Sequence, residues 1–154
     1  MNNIIVTTVK VEDSLDSTRH FGVLLSKALS IIHLIHWYVT DFNTHQILGD
    51  LYGDLDVLFD SLQEEIIGTS KQYNIQFPGL SPDTFSIDDI TQYSGGIDNL
   101  MDVYHQTVTK LSAILESQEF NNYISSVTSG LNNTKEDILS RINKANYLLS
   151  MTLK

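Results

Sequence analysis

Between Ile47 and Ile66 the apolar residues keep one helical spacing: Ile47, Leu48, Leu51, Tyr52, Leu55, Leu58, Phe59, Leu62 and Ile66. A strand would send alternate side chains to opposite faces, whereas a turn of about 100° per residue gathers these positions into a single stripe. The segment is therefore an amphipathic helix that turns this stripe toward a core. His45, Asp56, Asp60 and Glu64 fall on a second strip of the same helix, with Gly49 and Gly53 between them. That strip spans about 100° of arc and lies about 140° from the centre of the apolar stripe, so it faces away from the subunit's own core. Either water covers it, as on any solvated acidic face, or another subunit does. Carboxylates four residues apart on a helix repel by a few tenths of a kcal/mol per pair, a cost that a bound cation would reverse.

The preceding stretch reads as a helix from a cap at Asp13 or Ser14 to about Val39, with Asp16 in its first turn. Phe21, Leu24, Leu25, Ala28, Ile31, Ile32, Ile35 and Val39 make its core stripe, but Val23, Leu34 and Trp37 lie well off it. A helix apolar on so much of its circumference needs cover on a second side, and in a chain this small a neighbouring subunit is the expected cover. Thr40 to Asn43 is the expected turn, with Asn43 or Thr44 capping the second helix and Gly68 closing it.

Met1 to Val11 is β-branched and carries no helix signal, so residues 1–12 read as an extended arm. From Thr69 to Gly96 the periodicity lapses, and Pro78, Gly79, Pro82, Gly95 and Gly96 mark a crossover, with a short helix possible over Ser86 to Ile90. The crossover is too long for a hairpin and long enough to run the length of a bundle. A third helix over about Ile97 to Glu116 buries Leu100, Met101, Tyr104, Val108, Leu111 and Leu115. A short segment with Phe120, Tyr123, Ile124 and Val127 breaks at Gly130, and a last helix starts at Asn133 or Thr134 and buries Ile138, Ile142, Ala145, Leu148 and Leu149. Four main helices with a long connection between the second and third make an all-α, ferritin-like four-helix bundle, one domain over residues 1–154.

Charge and composition narrow the function. The net charge of −10, from 19 acidic and 9 basic residues, attracts cations and repels a phosphate backbone, and no lysine cluster offsets it. Direct nucleic-acid binding is therefore not expected. Without cysteine there are no disulfides, thiolate metal sites or cysteine nucleophiles. The most apolar run, Phe21 to Val39, is interrupted by Lys27, His33 and His36, and the N-terminus has no basic region followed by an apolar one. Neither a membrane span nor a secretory signal is expected, and a cytoplasmic protein is the default. Phosphate-binding glycine loops, G-x-S-x-G and H-E-x-x-H are absent.

The run His36-Trp37, then His45, then Asp60-x-x-x-Glu64 resembles the ferroxidase segment of the Dps proteins, the miniature ferritins. In that family a His-Trp pair closes the first helix, a second His opens the next, and an Asp-x-x-x-Glu pair follows about four turns along. Thr134 and the helix through Tyr147-Leu148-Leu149 are similar to the last Dps helix, and the chain also resembles ferritin-like proteins encoded by bacteriophages. The resemblance implies a metal site across a two-fold interface, with His36 and His45 from one chain and Asp60 and Glu64 from its mate. It implies iron as the metal, oxidised by peroxide or dioxygen and stored in a hollow homo-oligomer, a dodecamer of two-fold dimers in the family. Imidazole with carboxylate also suits zinc or manganese. The chain departs from the family in two places: His36 and His45 stand three residues closer together, and Gly49 occupies a position where the family has an aspartate. Asp56 lies on the same strip and is a further candidate ligand.

Each candidate also has a structural reading. His36, with His33 in an H-x-x-H pair, can be a polar member of a packed helix; His45 can serve a helix N-terminus; and Asp56, Asp60 and Glu64 can be a solvated face. Asp102-x-x-His105 has no matching Glu-x-x-His elsewhere to make a bundle di-iron site. The alternative to the iron protein is thus a ferritin-like bundle without ferroxidase activity, an oligomeric structural protein or a phage protein that binds a host partner in the host cytoplasm.

Overall fold

The computed structural model describes residues 11–80, 84–85, 97–127 and 130–152, and these are helical throughout apart from turns and connections. The helices are α1 (Val11–Tyr38), α2 (Phe42–Tyr73), α3 (Ile97–Leu115), α4 (Gln118–Ser125) and α5 (Leu131–Thr152). They form a helical bundle in which α1 and α5 each pack against both α2 and α3, while α4 packs on α3. The expected core stripes of α1 and α2 face the interior, with Phe21, Leu24, Ile32, Ile35, Leu48, Leu55, Leu62 and Ile66 fully enclosed and Ile47, Tyr52 and Leu58 half-buried at the edge of the α2 stripe. Leu15–Tyr38 is apolar and long enough at 24 residues to cross a membrane by length and composition; in the bundle its core stripe is packed against α2 and α3.

Helix ends differ from the sequence expectations for local reasons. The N-cap of α2 is Asp41, two or three residues before the expected Asn43 or Thr44, because its carboxylate accepts from the Thr44 amide at 2.8 Å and the Thr44 hydroxyl at 2.9 Å. Thr44 is buried in the third helical position and acts as the donor in this cap. These bonds, the amide's first, hold the Asp41 carboxyl below its ordinary range. At the other end α2 does not stop at Gly68 but runs to Tyr73, where Asn74 takes the left-handed conformation with φ 51° and donates its N–H to the Ser70 carbonyl. Tertiary contact extends it: Ser70 Oγ meets the Tyr123 hydroxyl at 2.8 Å, and that hydroxyl also donates to the Ile66 carbonyl at 3.2 Å. Burial raises the pKa of Tyr123, partly offset by Ser70.

α1 begins at Val11, so residues 11–12 belong to a helix and not to the expected arm; residues 1–10, and the short helix expected at 86–90, lie outside the described residues. α5 begins at Leu131, before the expected Asn133 or Thr134, with the Gly130 carbonyl accepting from the Thr134 amide at 3.1 Å. Thr134 instead ties two helices together, its hydroxyl donating to Glu65 Oε1 on α2 at 2.8 Å.

The connection after α2 turns inward. Phe77 is fully buried, 5.0 Å from Phe21, 6.0 Å from Phe120 and 5.0 Å from Tyr123 between ring centroids. This aromatic plug closes the end of the bundle where α2 finishes. The opposite end, at the α1–α2 turn, carries the candidate site.

Candidate functional site

Three residues, Val39 to Asp41, separate α1 from α2. So short a turn folds the helices back antiparallel and sets His36, in the last turn of α1, beside His45, in the first turn of α2. Their rings stack with centroids 3.9 Å apart and planes 18° from parallel. His36 Nδ1 lies 2.7 Å from the His45 carbonyl oxygen, and His45 Nδ1 lies 2.8 Å from the His36 carbonyl oxygen. A carbonyl only accepts, so both Nδ1 atoms carry protons and donate. Each ring thus holds the other residue's backbone, and the Nε2 of each ring has no hydrogen-bond partner among the described residues. Imidazole binds metals in this form, since an Nδ1–H···O=C bond fixes the tautomer and frees Nε2.

Stacking limits what the pair can do. A metal ion lies near the plane of an imidazole ligand, about 2.1 Å from its nitrogen. Planes so close to parallel at 3.9 Å do not meet within that reach, so one ion cannot be chelated by both rings as they stand. The pair offers separate single-nitrogen positions, one per ring.

Asp56, Asp60 and Glu64 are all exposed on the outer side of α2, as the helical count requires. Asp56 and Asp60 line an open groove of about 730 Å³ between α1 and α2, opposite Arg19 and Lys27 and next to Gly22 and Gln63. Glu64 lies one turn further along. From His45 to Asp60 is about 22 Å along the helix, at about 1.5 Å per residue, so a single chain does not bring the histidines and the carboxylates to one ion. Among the described residues no group of three or more metal-capable side chains gathers. Asp102 and His105 are exposed on α3.

Other features emerge only in three dimensions. His33 stacks on Tyr52 at 3.9 Å and 16°, lies 6.1 Å from His36, and is met at 4.2 Å by the tilted ring of Trp37. The histidines and Tyr52 so form a row of nearly parallel rings between α1 and α2. The H-x-x-H spacing was the sequence signal for His33, whereas its partner Tyr52 was legible only as a member of the apolar stripe. On the second apolar side of α1, Trp37 is 55% exposed and Val23 45% exposed, whereas Leu34 is half-buried against the core; on α2, Val57 is 66% exposed.

Comparison with known proteins returned no match to a protein family model, a curated protein or a solved structure.

Proposed function

We propose that this chain is a Dps-like, ferritin-like iron protein whose metal centres form between subunits. His36 and His45 of one copy would face Asp60 and Glu64 of the next, with Asp56 at the margin of the site. The observation that carries this reading is the histidine pair, two imidazoles held by their Nδ1–H bonds with neither Nε2 hydrogen-bonded among the described residues. The outer face of α2 supports it. Residues 45 and 60 are symmetric about Tyr52 and Gly53, and a Cβ at exposed Gly53 would meet no atom within 4 Å. Two α2 helices crossing antiparallel there would place His45 of each level with Asp60 of the other. The uncovered Val23, Trp37 and Val57 would give such a pair its apolar contact.

In this reading Fe(II) is the cargo. The separate ring positions hold one ion each, carboxylates from the mate complete each ligand set, and the acidic field concentrates the cation. Each Fe(II) gives up one electron, so two ions supply the pair that cleaves the O–O bond of one peroxide and leaves water or hydroxide. Storage of the Fe(III) product requires a closed homo-oligomer.

Mixing experiments test the intersubunit arrangement. Fe(II) loaded anaerobically and then given peroxide should oxidise faster than in buffer, and His45→Ala and Asp60→Ala should each lose the excess rate. Mixed and reassociated, the two variants should regain part of it, because each mixed pair rebuilds one intact site. No recovery, or a monomer by light scattering, refutes the proposal.

The second reading is a bundle of the same kind without ferroxidase activity, serving as an oligomeric structural or host-interaction protein. The stacked histidines favour it in one respect: they satisfy two backbone carbonyls with no ion at all. It predicts no stoichiometric metal by elemental analysis.

A further inference from the structure

We infer that Gly49 is a positioning residue for the histidine pair, acting through His36. A glycine inside a helix weakens it, because it adds backbone freedom to the unfolded chain. Glycine is justified where the backbone needs a positive φ, yet among the described residues no glycine has one. The reason at position 49 is space. A Cβ built on Gly49 would lie 2.7 Å from His36 Cε1 and 3.2 Å from His36 Nδ1, the atom that donates to the His45 carbonyl. Any larger residue therefore pushes the His36 ring out of the stack, and the displaced atoms belong to a side chain that can rotate away. The missing methyl group is what lets His36 fold back across α2, reach the His45 carbonyl and present its Nε2 beside that of His45.

Gly53, one turn on along the same strip, shows that the effect is local, since a Cβ there meets nothing within 4 Å. Position 49 thus selects between two forms of the site. With glycine, both rings are held by their Nδ1–H bonds with Nε2 turned outward, each able to take its own ion. With a side chain, His45 alone keeps that position beside whatever group stands at 49. The metal half of this inference rests on the reading of His36 and His45 as ligands; the positioning half does not.

The experiment compares Gly49→Ala with Gly53→Ala in the full chain by long-range 1H–15N spectra of the imidazole rings, without metal and then with Zn2+ alone. In the unaltered chain, His36 and His45 should both show the Nδ1–H tautomer. Gly49→Ala should remove that signature from His36, and Gly53→Ala should leave it. An unchanged His36 in Gly49→Ala, or the same loss in Gly53→Ala, overturns the inference. Zn2+ should perturb both rings in the unaltered chain and only the His45 ring in Gly49→Ala. Rings that ignore Zn2+ in the unaltered chain overturn the metal reading alone, and the tautomers still decide on Gly49. Should Gly49→Ala fold poorly, it is placed in a His36→Ala background, where the obstructing ring is gone. Its thermal penalty should then disappear, and an equal penalty in both backgrounds overturns the inference.

Discussion

Replacing Phe77 with alanine tests the packing that closes one end of the bundle. Phe77 lies on the connection after α2, is fully buried, and touches Phe21, Phe120 and Tyr123 at centroid distances of 5.0, 6.0 and 5.0 Å. Removing a buried phenylalanine ring costs about 3–5 kcal/mol through lost transfer energy and the cavity left behind. The upper half of that range applies here, because the lost neighbours are three rings on two other helices, α1 and α4, and aromatic pairs add about 0.5–1.5 kcal/mol beyond their area. Against a total stability of about 5–15 kcal/mol, this is a large share. It corresponds to a fall in Tm of roughly 8–20 °C for a chain of this size. Denaturant unfolding followed by circular dichroism measures it, with Gln76→Ala, an exposed neighbour, as a control expected within about 0.5 kcal/mol of the unaltered chain. A Phe77→Ala penalty below about 1 kcal/mol would show that the connection is not docked and would refute the plug.

Tyr123→Phe should cost about 1–2 kcal/mol, because it removes the hydroxyl that bonds Ser70 and the Ile66 carbonyl, and amide exchange should quicken selectively in the last turn of α2. Thr134→Val should cost a similar amount, removing the Thr134 hydroxyl from Glu65 Oε1 while the other carboxylate oxygen is buried with no hydrogen-bond partner among the described residues. Burial holds Tyr104 neutral well above the ordinary tyrosine range of about 10. The unfolded chain therefore loses this proton first, so stability is full below about pH 10 and falls above it, and Tyr104→Phe should flatten that alkaline slope in a series of urea titrations. Asp41 works in the opposite sense: its lowered pKa stabilises the fold above about pH 3.8 and the contribution fades as acid protonates the folded carboxyl, so Asp41→Asn should remove that acid-side dependence.

The long apolar stripes of α1 and α2 were readable because burial follows a period that side-chain type alone reveals. Helix ends were less so. Asn43, Thr44 and Asp41 are all plausible caps by type, and only the donor geometry at Thr44 selects Asp41. Gly68 looked like a terminus because nothing near it in sequence shows that Tyr123, far along the chain, stabilises Ser70. The inward turn at Phe77 is invisible for the same reason, its partners coming from two distant helices, α1 and α4. At the site, helical counting placed Asp56, Asp60 and Glu64 on an outward strip, as the structure does. The meeting of His36 and His45 required the turn length, and the function of Gly49 required the atoms of His36. Read as a missing aspartate, Gly49 is a loss; read as a space, it is what the stacked ring occupies.

The mutual grip of the two histidines has a mechanical consequence. His36 ends α1, where the last carbonyls of a helix lack partners of their own, and a ring from the next helix supplies one of them. An imidazole that lends its outer nitrogen to a cation becomes more electron-poor, and its inner N–H becomes a stronger donor. On the proposed reading of the pair as ligands, loading its outside would therefore stiffen the elbow between the first two helices, so the joint would be firmest with an ion bound and would loosen as it leaves.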